Sequence, residues 1–177
     1  GDRLWLYDFD AKPGAELRAL TPAGFEVNDA KVSPRGRFVS FVSHQNLYTI
    51  DLASALNYQL TRDGNGPVHN GQAEFVAQEE MARSTGYWWA PDDSAIAYER
   101  YDESGVDEVK RTEVYADRSE TISQRYPAAG RTDVVVQLGL VQPPGWHLPR
   151  IALCATTATH PERVPCRPYG QCGAVHA

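Results

Sequence analysis

Val32-Ser33-Pro34-Arg35-Gly36-Arg37-Phe38-Val39-Ser40-Phe41-Val42 reads as strand, proline turn, strand. Proline presets φ at the second turn position, and glycine or aspartate tolerates the turn that follows. Trp89-Ala90-Pro91-Asp92-Asp93-Ser94-Ala95-Ile96-Ala97-Tyr98 has the same form. The short strands around these turns recur as well. Leu4-Trp5-Leu6-Tyr7-Asp8-Phe9 with Leu17-Arg18-Ala19-Leu20-Thr21 is matched by Asn46–Leu52 with Tyr58–Gly64. Asp8 and Asp51 are 43 residues apart, and Thr21 and Thr61 are 40 apart. Short strands at that period are the signature of propeller blades. The sequence therefore predicts an all-β fold, an incomplete β-propeller of about two blades.

Pro34 and Pro91 are 57 residues apart, 14–17 more than the strand period. The excess falls between Asn70 and Tyr87, a helix-prone insertion carrying Gln78-Glu79-Glu80-Met81-Ala82-Arg83-Ser84. Adjacent glutamates on a helix are ordinarily a solvated surface pair. Insertions into repeat folds, however, project from one face and commonly carry binding residues. Two close carboxylates repel until a cation relieves them, and a primary ammonium suits them best, having three donors for acceptor-only groups. Glu79 and Glu80 are thus the candidate cation-binding residues. Arg83, three positions after Glu80, would share its side of a continuing helix and is a candidate orienting residue. Trp88 and Trp89 read as core and strand-packing residues. Asp102 and Glu103 read as a solvated loop.

The chain is 42% hydrophobic and 10% aromatic, which fits a globular protein of 177 residues. Its net charge of −6 argues against nucleic acid or an anionic membrane as a partner, since both attract positive surfaces. No apolar run approaches the roughly 20 residues of a membrane-spanning helix. No G-x-S-x-G elbow, H-E-x-x-H or P-loop occurs, so no catalytic residue, metal or cofactor is assigned. The chain starts on Gly1-Asp2-Arg3 and enters a strand pattern at once, which reads as a piece of a longer protein.

Composition changes near residue 141. Residues 142–177 hold all three cysteines (Cys154, Cys166 and Cys172), six of the twelve prolines, and no Lys or Asp. Residues 1–141 are accordingly read as the partial propeller domain, and 142–177 as a separate tail, either irregular or translated out of frame. Cys154, His160, Cys166, Cys172 and His176 are potential zinc ligands, but they lack the close cysteine pairs of structural zinc sites. Three cysteines leave one unpaired in any disulfide scheme.

Residues Glu74-Phe75-Val76-Ala77-Gln78-Glu79-Glu80-Met81 and Gly86-Tyr87-Trp88-Trp89-Ala90-Pro91 closely resemble the double-glutamate motif of the dipeptidyl peptidase IV family. Tyr101-Asp102-Glu103-Ser104, Glu113-Val114-Tyr115 and Gln124-Arg125-Tyr126-Pro127-Ala128-Ala129-Gly130 continue the likeness, which is strongest to bacterial members. These are serine exopeptidases with an N-terminal β-propeller and a C-terminal α/β-hydrolase domain. The resemblance implies that Glu79 and Glu80 bind the free α-amino group of a peptide substrate. It also implies release of N-terminal dipeptides, a periplasmic or secreted setting, and full-length proteins that are often homodimers. The family's Ser-Asp-His triad belongs to the hydrolase domain, and its substrate-carbonyl arginine would lie upstream of Asp2. The chain alone is therefore expected to be an inactive fragment that keeps the amine-recognition residues. The other reading is a non-catalytic propeller module that binds proteins or peptides. Two blades without neighbours would leave their side faces open, so marginal folding or association through those edges is expected.

Overall fold

The structure, a computed structural model, describes residues 3–145 and the strand at 152–155. Cys166, Cys172, His160 and His176 lie outside the described residues. Near the start, β1 (Trp5–Tyr7) and β2 (Leu17–Ala19) form an antiparallel ribbon with Trp5 opposite Ala19. Next come β3 (Asn28–Val32), β4 (Phe38–Ser43), β5 (Asn46–Asp51) and β6 (Asn57–Gln59), which pair antiparallel in chain order. Every residue of β4, Phe-Val-Ser twice over, is buried, as befits a strand paired on both edges and covered on both faces. The turn before it is closed by Ser33 N donating to Phe38 O at 2.8 Å. Gly36 sits there at φ +72°, where a side chain would be strained.

A second sheet follows, built from β7 (Val68–Asn70), β8 (Tyr87–Trp89), β9 (Ile96–Asp102), β12 (Val135–Val141) and β13 (Ala152–Ala155). Between β7 and β8 lies α1 (Phe75–Glu80), and between β9 and β12 lies the hairpin of β10 (Glu108–Val114) and β11 (Ser119–Arg125). β12 pairs along all of β9, from Val135 opposite Asp102 to Val141 opposite Ile96. The other edge of β9 is shared. β8 pairs with Ile96 to Tyr98, and β7 with Arg100 to Asp102. β7 and β8 therefore act as two halves of one interrupted strand, and the sheet is a second four-stranded antiparallel meander. The two proline turns match in detail. Ala90 N donates to Ala95 O at 2.8 Å, and Asp93 sits at φ +63° where the first turn has Gly36.

This is the partial propeller that the repeat predicts. The sheet reaches past the compositional change at 141, because the free edge of β12 takes up β13, with Gly139 opposite Leu153. The β10–β11 hairpin, by contrast, has no sequence signature. Ten of its fourteen strand residues are exposed and none is buried, so neither face shows an apolar alternation.

The core lies between the two sheets. Val42 and Leu47 of the first pack with Tyr87, Ile96, Tyr98 and Val141 of the second. Burying each such side chain contributes about 1.5–3 kcal/mol. Polar groups knit the same seam. The Trp89 indole N–H donates to Ser40 Oγ at 2.7 Å, and its ring stacks on Phe38 with centroids 5.8 Å apart. The Tyr87 hydroxyl donates to Ser40 O at 3.1 Å, and burial pushes its pKa up. The buried Asp93 carboxylate accepts from Ser33 Oγ at 2.6 Å and from Arg35 N at 3.0 Å, so one proline turn is latched to the other.

One expectation needs correcting here. Tyr87 and Trp89 face the core, but Trp88 is 43% exposed. Alternation along a strand sends successive side chains to opposite faces, so three consecutive aromatics cannot all be buried on one.

Candidate functional site

The insertion leaves the sheet at Gly71 and re-enters at Gly86. Gly71 has φ +78°, a conformation open to glycine that turns the chain out of the strand. At Gly86 a β-carbon would lie 2.3 Å from the Gln72 carbonyl carbon, so only glycine lets the two arms approach. Gln72 pairs with Thr85 there, and Ala73 N donates to Ser84 O at 3.3 Å. Both ends bond to one residue of β9: Gly71 N donates to Glu99 O at 2.8 Å, and Glu99 N donates to Gly86 O at 2.7 Å.

At six residues, α1 is far too short to be stable by itself and must be held at its ends. Glu74 caps it, its carboxylate accepting from Val76 N at 2.6 Å and Ala77 N at 2.7 Å. Ala77 is the buried contact. The helix stops at Glu80. Ala82 adopts φ +49°, and Arg83 N folds back to donate to Ala77 O at 3.0 Å.

Glu79 and Glu80 are the last two residues of α1, and both are exposed. No basic residue lies in that last turn. Among the described residues, neither carboxylate has a salt bridge or a side-chain hydrogen bond. The C-terminal end of a helix carries partial negative charge, which disfavours carboxylates by about 0.3–1 kcal/mol. This segment breaks that local rule twice in succession.

Arg83 does not orient the pair as helical spacing suggests. α1 ends at Glu80 and Ala82 then takes a positive φ, so Arg83 stands outside the helix. Its Nη1 donates instead to Glu99 Oε2 at 2.7 Å and to Thr85 O at 2.9 Å. The guanidinium also lies 5.9 Å from the centre of the Trp88 ring. Glu99, only 6% exposed, is a site residue that pattern reading misses. A glutamate within a strand reads as pointing to solvent, and its partner Arg83 lies 16 residues earlier.

A cleft of about 400 Å³ runs beside α1, between Phe75 and Gln78 on one side and Ser123–Arg125 of the hairpin on the other. Tyr101 and Glu103 line its base. The Tyr101 ring stacks on His69 at 4.5 Å, and burial pushes its phenol up. Phe75 meets Tyr126 edge-on at 5.5 Å. Asp102, read as part of a solvated loop, ends β9 and accepts from Ser104 N at 2.9 Å. Among the described residues no group of three His, Cys, Asp or Glu side chains is placed to hold a metal. No helix among them is long and apolar enough to cross a membrane.

The profile of the dipeptidyl peptidase IV (DPP IV) N-terminal region matches residues 1–164, beyond the compositional change at 141. The chain is similar to dipeptidyl-aminopeptidase B of Chaetomium globosum, with 31% identity over 150 residues, covering 76% of this chain and 16% of that protein. Dipeptidyl aminopeptidase A of Saccharomyces cerevisiae is 30% identical over 82 residues, 46% of this chain and 9% of that one. The crystal structure of Porphyromonas gingivalis dipeptidyl peptidase 4 aligns with a TM-score of 0.64 and 31% identity, over 70% of this chain and 18% of that one. The chain thus spans less than a fifth of the length of each. With its meandering sheets, interrupted strand and helical insertion set beside a profile that takes in 164 residues, the chain belongs to the dipeptidyl peptidase IV family, as a stretch of its N-terminal region.

Proposed function

We propose that this chain is the substrate-anchoring part of a dipeptidyl peptidase, in which Glu79 and Glu80 hold the free α-ammonium of a peptide. The observation that carries this reading is the placement of two unpaired carboxylates at the negative end of α1, with no basic residue in the last turn. An arriving ammonium relieves their repulsion and complements the helix end. It also forms charge-assisted bonds, roughly twice as strong as neutral ones. Fixing the amine at a set distance from a nucleophile makes cleavage fall after the second residue, so the pair acts as a ruler. Bond cleavage itself is assigned to a serine beyond these residues, since no G-x-S-x-G elbow occurs among the 177.

The test is a titration of the chain with alanyl-alanine amide and with its N-acetylated form, which lacks the charge. The free amine should bind about tenfold tighter or more, the worth of a hydrogen bond to a charged group. Replacing both glutamates (E79Q with E80Q) should erase that difference. Equal binding of the two probes by the unsubstituted chain would sink the proposal.

A further inference from the structure

We infer that Glu99 is a positioning residue for the Glu79–Glu80 segment, fastening both ends of the insertion to the sheet through one buried carboxylate. Its Oε1 accepts from Glu74 N at 3.3 Å, where α1 begins, and its Oε2 accepts from Arg83 at 2.7 Å, just after α1 ends. Its backbone repeats the pattern one layer below, bonding Gly71 and Gly86. A single residue of β9 therefore touches the insertion at positions 71, 74, 83 and 86, on both arms. A rigid central strand is a suitable anchor, because a binding group must be held within a fraction of an ångström by supporting contacts.

The alternatives for holding α1 are weaker. Its one buried residue is Ala77, and Phe75 meets Tyr126, just past the hairpin, edge-on. Glu99 is also the group that holds Arg83. The carboxylate of Glu99 thus does two things at once: it fixes the segment, and it pairs with the segment's own cation.

This role rests on the amine-anchoring reading, and the experiment separates the two. Amide hydrogen exchange and titration with alanyl-alanine amide are measured on the whole chain, on E99A and on E99Q. In E99A the amides of Val76, Ala77 and Arg83 should exchange about tenfold faster, the loss expected for bonds to a charged group. The amides of β12 should keep their protection, and affinity for the probe should fall by about as much. E99Q keeps an acceptor for one arm only, so exchange should quicken chiefly at one end of the segment. If E99A does not fold, E99Q decides. Unchanged exchange at Val76, Ala77 and Arg83 in the folded variant overturns the role of Glu99. Should the unsubstituted chain bind free and acetylated probes alike, the amine reading fails, while the exchange data still judge the clamp.

Discussion

The seam between the two sheets and the insertion that projects from it are built by opposite rules. At the seam, apolar side chains from both sheets close over each other, and polar groups pair across it, as with Asp93 and Ser33, or Trp89 and Ser40. In the insertion the buried apolar side chains are two alanines, Ala73 and Ala77, and the ties are hydrogen bonds, among them four with Glu99 and one from Thr85 to Asp29; among the described residues, two carboxylates stand unpaired at a helix end that disfavours them. Apolar burial is concentrated away from the proposed ammonium site. Natural proteins tend to break local rules at functional sites and compensate elsewhere, and here the compensation lies in the next layer of the molecule.

That division makes graded predictions. Truncating Tyr87, fully buried at the centre of the seam, should have the largest effect: Tyr87→Ala should lower unfolding stability by about 3–5 kcal/mol in urea titration. A loss under 1 kcal/mol would mean that the sheets do not depend on each other.

Acid should act on the rim of the seam more gently. Burial pushes the Asp63 carboxyl up, but hydrogen bonds from Arg100 and Asn70 outweigh it and hold the group below its usual range. A carboxylate with a depressed folded-state pKa adds stability above about pH 4 and loses it as the pH falls through the folded value. The urea midpoint should therefore drop below pH 4, and D63N should shrink that drop. An identical acid profile for D63N would remove Asp63 from the seam's account.

The smallest effect belongs to the insertion. Neutralising both carboxylates (E79Q with E80Q) should leave stability unchanged or raise it by about 0.5 kcal/mol, as negative charge leaves a helix C-terminus. A loss above 1 kcal/mol would place the glutamates in the structural frame and blur the contrast.

Some of this was legible in the sequence because it rests on residue types with narrow conformational meaning. Pro34 with Gly36, and Pro91 with Asp93, mark turns whose backbone angles few other residues adopt, and their spacing locates the insertion. The glutamate pair stood out because it lies on the insertion that the proline spacing locates. Glu99 was not, since its role depends on an arginine 16 residues earlier, in the insertion. The β10–β11 hairpin was silent for a different reason: exposed on both faces, it writes no periodicity into the sequence. Arg83 misled because helical spacing holds only while the helix continues.

The shared edge of β9 has a consequence for how such a chain can change. Asn70 lies opposite Arg100, Tyr87 opposite Tyr98, and both Gly71 and Gly86 bond to Glu99 between them. Excising residues 71–85 would join Asn70 to Gly86 with no slip in register, and the proline spacing of 57, shortened by those 15, becomes 42, the interval of an uninterrupted blade. The sheet is blind to the length of what is looped out at this point. A one-residue slip elsewhere in the strand would turn every side chain to the wrong face. The insertion is thus a graft on an intact stem, free to be lengthened, exchanged or lost in single insertion or deletion events while the blade that bears it stays the same.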